Sequence, residues 1–301
     1  KTSPSIIAVT SSTNDGSYNK DDVIAITLTF SESVTVSGTP QLTLETGSSD
    51  AVVNYSSGSG STILTFNYTV ASGHTSSDLD YKATSSLALN NGTIRDAAGN
   101  NASLTLPTPG GSNSLSVNKG LIIDTIDPSM TITATNGTNA VSDGSSSVDN
   151  YLVLTFTSSE PTSNFIVDDI TVSGGSLSNF SSTSSSIYTA TFTPSISGAK
   201  TIDVAVNKFT DTAGNNNTAA TQFNWTRKSS ISVKKDESGD FKMIAAAISA
   251  AFNGDTIVVY PGTYFESTDS NHALKINNKN LVILSDGSSS NTIIDANSDF
   301  R

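Results

Sequence analysis

Strict alternation of apolar and polar residues constrains this 301-residue chain more than any other feature. Ile24, Ile26, Leu28 and Phe30 take every second position, as do Leu42 and Leu44, then Leu64, Phe66, Tyr68 and Val70. Successive side chains of an extended strand point to opposite faces, so each run buries one face and wets the other. Met130/Ile132/Ala134, Leu152/Leu154/Phe156, Tyr188/Ala190/Phe192 and Ile202/Val204/Val206 repeat the pattern. Turn sequences separate the runs, among them Asn14-Asp15-Gly16, Gly38-Thr39-Pro40, Gly58-Ser59-Gly60 and Asn91-Gly92. Short strands at this spacing predict sandwiches of antiparallel sheets.

One pentapeptide occurs in two versions, Asp96-Ala97-Ala98-Gly99-Asn100 and Asp211-Thr212-Ala213-Gly214-Asn215, 115 positions apart. Each precedes a further apolar strand, Leu121-Ile122-Ile123 or Gln222-Phe223-Asn224-Trp225. The chain therefore repeats an all-β unit of domain length. Pro128 blocks a central strand and stiffens the junction, which divides the chain into units at 1–127 and 128–228. Trp225, the only tryptophan, is expected in core or junction packing.

After Arg227-Lys228 the texture changes. Apolar residues at Phe241, Ile244, Ile248 and Phe252 have helical spacing, with Asp240 as the expected N-cap and Asn253-Gly254 as the stop. Short strands are expected at Ile257–Val259, Ala273–Ile276, Leu281–Leu284 and Thr292–Ile294.

Several of these pieces resemble known families. Phe30-Ser31-Glu32-Ser33-Val34, Gly38-Thr39-Pro40-Gln41-Leu42-Thr43-Leu44, Tyr55-Ser56-Ser57-Gly58-Ser59-Gly60, Asp78-Leu79-Asp80-Tyr81 and Gly92-Thr93-Ile94-Arg95-Asp96 resemble, in order, an immunoglobulin-like repeat of giant swimming-associated bacterial surface proteins. Leu154-Thr155-Phe156-Thr157-Ser158-Ser159-Glu160-Pro161 and Asp168-Asp169-Ile170-Thr171-Val172 are similar to a second bacterial immunoglobulin-like family. Asp124-Thr125-Ile126-Asp127-Pro128 resembles the joint between such domains. Gly254-Asp255-Thr256-Ile257-Val258-Val259, Pro261-Gly262-Thr263-Tyr264 and Thr292-Ile293-Ile294-Asp295 look like the opening of pectin-lyase-like and pectin-methylesterase-like domains. That resemblance implies that residues 229–301 form the N-terminal cap and first coils of a right-handed parallel β-helix, with Tyr264 and Glu266 matching its structural motif. The expected fold is all-β: two immunoglobulin-like sandwiches in tandem, then this incomplete β-helix, which is expected to continue beyond residue 301.

Composition narrows the functions. The formal charge is −12, from 27 acidic and 15 basic side chains, and no segment is basic, which disfavours nucleic acid. No cysteine is present, so disulfides and thiolate metal sites are excluded. The longest apolar stretch, Met243 to Phe252, is about half a membrane span.

Acidic loops are the candidate sites. Calcium takes six to eight oxygen ligands. Asp96 and Asn100, with Asp124 and Asp127 on the linker and Glu32 after its strand, could supply them at one pole of the first sandwich. Asp211 and Asn215 form a second, sparser set, because the linker Thr226–Ser230 offers no carboxylate. The same residues equally suit turns held by side-chain-to-backbone bonds, with Gly99 and Gly214 at positive φ. No catalytic constellation is present: His74 and His272 lie far apart, each in a loop or on the surface, and no Gly-x-Ser-x-Gly elbow occurs. Acidic pairs such as Asp168/Asp169 sit at strand starts.

The resulting expectation is a non-enzymatic structural or adhesive segment of a large secreted or cell-surface bacterial protein. Its immunoglobulin-like spacers would present the β-helix, and its partners would be other copies, other surface proteins or glycans. The alternative is a set of accessory modules on a secreted polysaccharide lyase, hydrolase or esterase, with the active site past residue 301.

Overall fold

Alternation in the sequence becomes alternation of burial in the computed structural model, which describes residues 2–266, 274–287 and 291–295. Ile24, Ile26, Leu28 and Phe30 lie on one long strand, Val23–Ser37, and are at most 1% exposed. Intervening Thr27 and Thr29 are half-buried. The described chain is all-β, and its contacts divide it into two compact units, 1–128 with 210–216, and 129–209 with 217–301.

In the first unit eight strands form one curled sheet. Its path runs from Ile6–Ser11 through Val23–Ser37, Ser61–Thr69, Ala51–Ser57 and Gln41–Glu45 to Asp80–Tyr81. Neighbours along this path are antiparallel. Curling lets Ile24 and Phe66 from one end share a core with Leu42, Leu44 and Tyr81 from the other, as in an immunoglobulin-like sandwich. Leu121–Ile123 pairs with Gly16–Tyr18 in parallel, an exception to the all-antiparallel expectation.

The second unit holds a sandwich of two sheets. Five strands run in the order Ala140–Val141, Met130–Thr135, Leu152–Ser158, Ile187–Pro194, Gly175–Ser182, and four in the order Ser145–Ser147, Phe223–Arg227, Gly198–Val204, Ile170–Ser173. Phe156, Phe192, Ile202 and Trp225, all at most 1% exposed, fill the space between them. Trp225 is a core residue whose Nε1 donates to Ser147 Oγ at 3.0 Å. Here too one pair is parallel, Ser145–Ser147 with Phe223–Arg227.

The same unit continues into parallel ladders. Ser230–Val233, Thr256–Val259 and Val282–Ser285 stack in register, each 26 positions after the last, and Gly262–Phe265 pairs with Thr292–Asp295. Ile231, Val233, Ile257 and Val259 face a small core that also contains Ile244, Ala247 and Tyr264.

Three local expectations are corrected. The helix is Ile244–Ala250, shorter than the apolar spacing suggests, and its N-cap is Met243 rather than Asp240. Asp240 is engaged elsewhere, accepting from Ser232 N and Ser232 Oγ at 2.8 and 2.7 Å. Glu266, fully buried, caps the helix instead, accepting from Ile244 N at 2.6 Å and Ala245 N at 3.1 Å. Leu274–Ile276 is not a strand, and Ala273 lies outside the described residues. The supposed linker Thr226–Ser230 shrinks to Lys228 and Ser229, because its ends belong to strands.

Candidate functional site

Each pentapeptide loop is built around its own aspartate. Asp96 Oδ1 accepts from the backbone N–H groups of Ala98 and Asn100, both at 2.8 Å. Asn100 Nδ2 donates to Asp96 Oδ2 at 2.6 Å. A return bond from Asp96 N to Asn100 O, 3.1 Å, closes the turn, and Gly99 turns the chain at φ +87°. A glycine is needed there because other residues pay a steric penalty at positive φ.

The second loop repeats this geometry. Asp211 Oδ1 accepts from Ala213 N at 2.8 Å and Asn215 N at 2.9 Å, and Oδ2 accepts from Asn215 Nδ2 at 2.8 Å. Gly214 takes φ +93°. Both aspartates are buried, at 7% and 2% exposure. Their carboxylates therefore do structural work, replacing water with N–H donors.

The loops differ in what they meet. Residues 210–216 pack with the first unit, and Asn215 Nδ2 also donates to the backbone oxygen of Asp124 at 3.0 Å. Carboxylate oxygens of Asp124 and Asp211 come within 4.8 Å of one another. Asp124 Oδ1 meanwhile accepts from Ile126 N at 3.0 Å. The structure thus joins Asp124 to the Asp211/Asn215 set, a pairing across 87 positions that no local signal marks. Asp96, Asp127 and Glu32 contribute no carboxylate to a close cluster of three acidic groups among the described residues. Asp127 is exposed and Glu32 half-buried.

His74 is not the solvated loop residue expected. Gly73, at φ +84°, folds it back so that its ring stacks on Tyr68 and its Nδ1 lies 2.9 Å from Tyr68 Oη. Burial pushes the Tyr68 phenol well above its ordinary pKa, so it stays protonated and serves as a fixed polar contact. Both residues line an open groove of about 440 Å³, with Asp50, Asn54, Asn67 and Thr69. The groove contains no nucleophile paired with a base and an orienting acid. His272 lies outside the described residues. Asp168 and Asp169 belong to a short 3₁₀ turn, where Asp169 Oδ2 accepts from Ile166 N at 2.9 Å, so one of the pair is a turn-former.

One charged group escaped notice in the sequence. Arg227 marks the change of texture and reads as a linker cation, yet it is fully buried and lies 3.2 Å from the buried carboxylate of Asp255. Its phase was the available signal, since Phe223, Trp225 and Arg227 alternate on one strand.

Residues 124–227 match a family described as a bacterial Ig-like domain, a non-catalytic module of bacterial surface proteins. No curated protein matches the chain. Among solved structures, InvD of Yersinia pseudotuberculosis aligns with 14% identity over 73% of this chain, at a TM-score of 0.29. The aligned region spans 56% of that InvD chain. No helix among the described residues is long and apolar enough to cross a membrane.

Proposed function

We propose that this chain is a structural segment of a large secreted or cell-surface bacterial protein. Two immunoglobulin-like spacers, 1–127 and 128–228, hold out a right-handed parallel β-helix that starts at residue 229. The segment serves adhesion or the assembly of an appendage or envelope layer, and its partners are other copies, other surface proteins or glycans. The match of residues 124–227 to a bacterial Ig-like domain carries this reading. The parallel ladder with its 26-residue step supports the β-helix, because coils of a solenoid stack identical strands at a fixed period.

Calcium belongs to the same proposal. Asp124 and Asp211 supply two hard carboxylate ligands, the kind calcium prefers, and Asn215 holds the loop against the Asp124 carbonyl. A melting temperature that rises on adding calcium and no longer does so in Asp211→Asn supports the ion. Equal melting in calcium and in chelator rules it out.

Protease shaving of intact cells that express the polypeptide tests its location. Peptides from 124–227 in the shaved fraction are the expected result. Their recovery only from lysed cells, alongside cytosolic controls, would overturn the proposal.

A further inference from the structure

Arg227 ends the last strand of the second sandwich, in phase with the inward-facing Phe223 and Trp225, so its side chain enters the protein rather than solvent. There it meets the Lys228 carbonyl and, at 3.5 Å, Asn150 Oδ1 of the sandwich, but its closest carboxylate and its aromatic partner belong to the parallel-stranded segment. Nη2 lies 3.2 Å from Asp255 Oδ2 and donates to Ala250 O at 2.8 Å, while the guanidinium carbon sits 4.5 Å from the centroid of the Phe252 ring. Asp255, 1% exposed, also accepts from Phe252 N at 2.8 Å and, back on the sandwich, from Ser197 Oγ at 2.6 Å. Val148, between two sandwich strands, packs into the core of Ile231, Val233 and Ile244 rather than into the sandwich core.

Buried charged groups stand on both sides of this contact. The sandwich end buries a second cation, Lys200, 2% exposed, whose Nζ reaches the carbonyls of Ser197 and Ala199 at 3.4 and 3.3 Å. Burial, and then the charge of Arg227, lower the Lys200 pKa. Arg227 Nε is buried with no hydrogen-bond partner, so the guanidinium depends on what its other nitrogens reach. The carboxylate closest to it comes from the stack. Conversely, the helix Ile244–Ala250 has seven residues, too few to persist unaided. Its last carbonyls are satisfied by Arg227 at Ala250 and by Lys279 at Ile248 and Ser249, 2.9 and 2.8 Å. Cations at a helix C-terminus also oppose its dipole favourably.

The end strand next to the sandwich is itself buried. Ile231, on the strand that follows the sandwich, is 0% exposed, although that strand ends the ladder order. Parallel stacks need a cap over the end coil, and here Ile244 and Ala247 of the helix and Val148 of the sandwich share the core with Ile231.

We infer that the second sandwich is the docking cap of the parallel-stranded segment, that Arg227 and Asp255 are the pair fastening it, and that the two unfold as one cooperative unit. The joint at residues 228–229 is then a rigid coupling, and this holds whatever the segment binds.

The full chain tests it with two reporters. Trp225, the sole tryptophan and 1% exposed, follows the sandwich by fluorescence. Amide exchange at Ile257–Val259 follows the stack. In the unaltered chain both give the same urea midpoint. Asp255→Ala lowers protection at Ile257–Val259 at least tenfold and separates the midpoints. Asp255→Asn, nearly isosteric, acts in the same direction and decides the matter if the alanine variant does not fold. Asp236→Ala, an exposed carboxylate in the same segment, changes protection less than twofold. Two distinct midpoints in the unaltered chain, or an Asp255→Asn effect no larger than that of Asp236→Ala, overturn the inference.

Discussion

Replacing Asp96 by alanine removes the acceptor around which its loop is folded. Three donors lose their partner: Ala98 N, Asn100 N and Asn100 Nδ2, at 2.8, 2.8 and 2.6 Å. Bonds to a charged group contribute roughly 1.5–3 kcal/mol each, and a neutral bond about 1 kcal/mol. Asn100 is half-buried and water reaches part of the loop, so we take the lower figure, which gives a loss of about 3 kcal/mol. At ~2.1 cal/mol/K per residue, a unit of roughly 128 residues unfolds with about 0.27 kcal/mol/K, and the melting midpoint falls by about 11 °C. Asp96→Asn keeps one acceptor oxygen and turns an NH₂ group toward a donor, so about half of that loss is expected. The assay is calorimetric melting of the full chain, following the transition of the first unit, in calcium and in chelator. Both conditions should give the same loss, because these bonds are made within the loop. A drop of less than about 3 °C, or a drop present only in calcium, would refute the reasoning.

Gly214→Ala forces a side chain onto φ +93° and brings Cβ within 3.2 Å of Asn19 Nδ2, so a loss of about 1–2 kcal/mol is expected in urea titration, against no loss at an exposed serine control. Glu266→Ala uncaps the helix and leaves two N–H groups without their acceptor; amide protection across Ile244–Ala250 should fall while Trp225 stays native in emission at 25 °C and neutral pH. Asp240 titrates below the ordinary carboxylate range: burial raises its pKa, but the Ser232 N–H and hydroxyl bonds and Lys228 together outweigh that. A depressed folded-state pKa stabilises above the unfolded value, about 3.9, and that stability is lost as pH falls through the folded pKa. Asp240→Asn should therefore reduce stability at pH 7 and flatten its fall as pH drops below the unfolded-state value, as read from urea midpoints.

Legibility followed the range of the interaction. Period-two burial of Ile24 to Phe30 or Leu152 to Phe156 is written locally, and the structure buries those residues in the expected phase. The Asx loops were legible as one of two readings, because Asp96 bonds only two and four residues ahead. Contacts that depend on distant chain were not. Asp240 has the chemistry of an N-cap, but Ser232 claims its carboxylate and Glu266 reaches the helix from 22 positions away. The burial of Arg227 is not evident from its place at a change of texture, and only its alternation with Phe223 and Trp225 points it inward. In each case the tertiary partner overrode the local signal.

Inter-strand nuclear Overhauser contacts of Ile257 test the stacked architecture most directly. The account predicts parallel-register contacts from Ile257 to both Ile231 and Ile283, one step of 26 residues on either side. Close Hα–Hα contacts of an antiparallel ladder, or contacts to only one of the two, would contradict it.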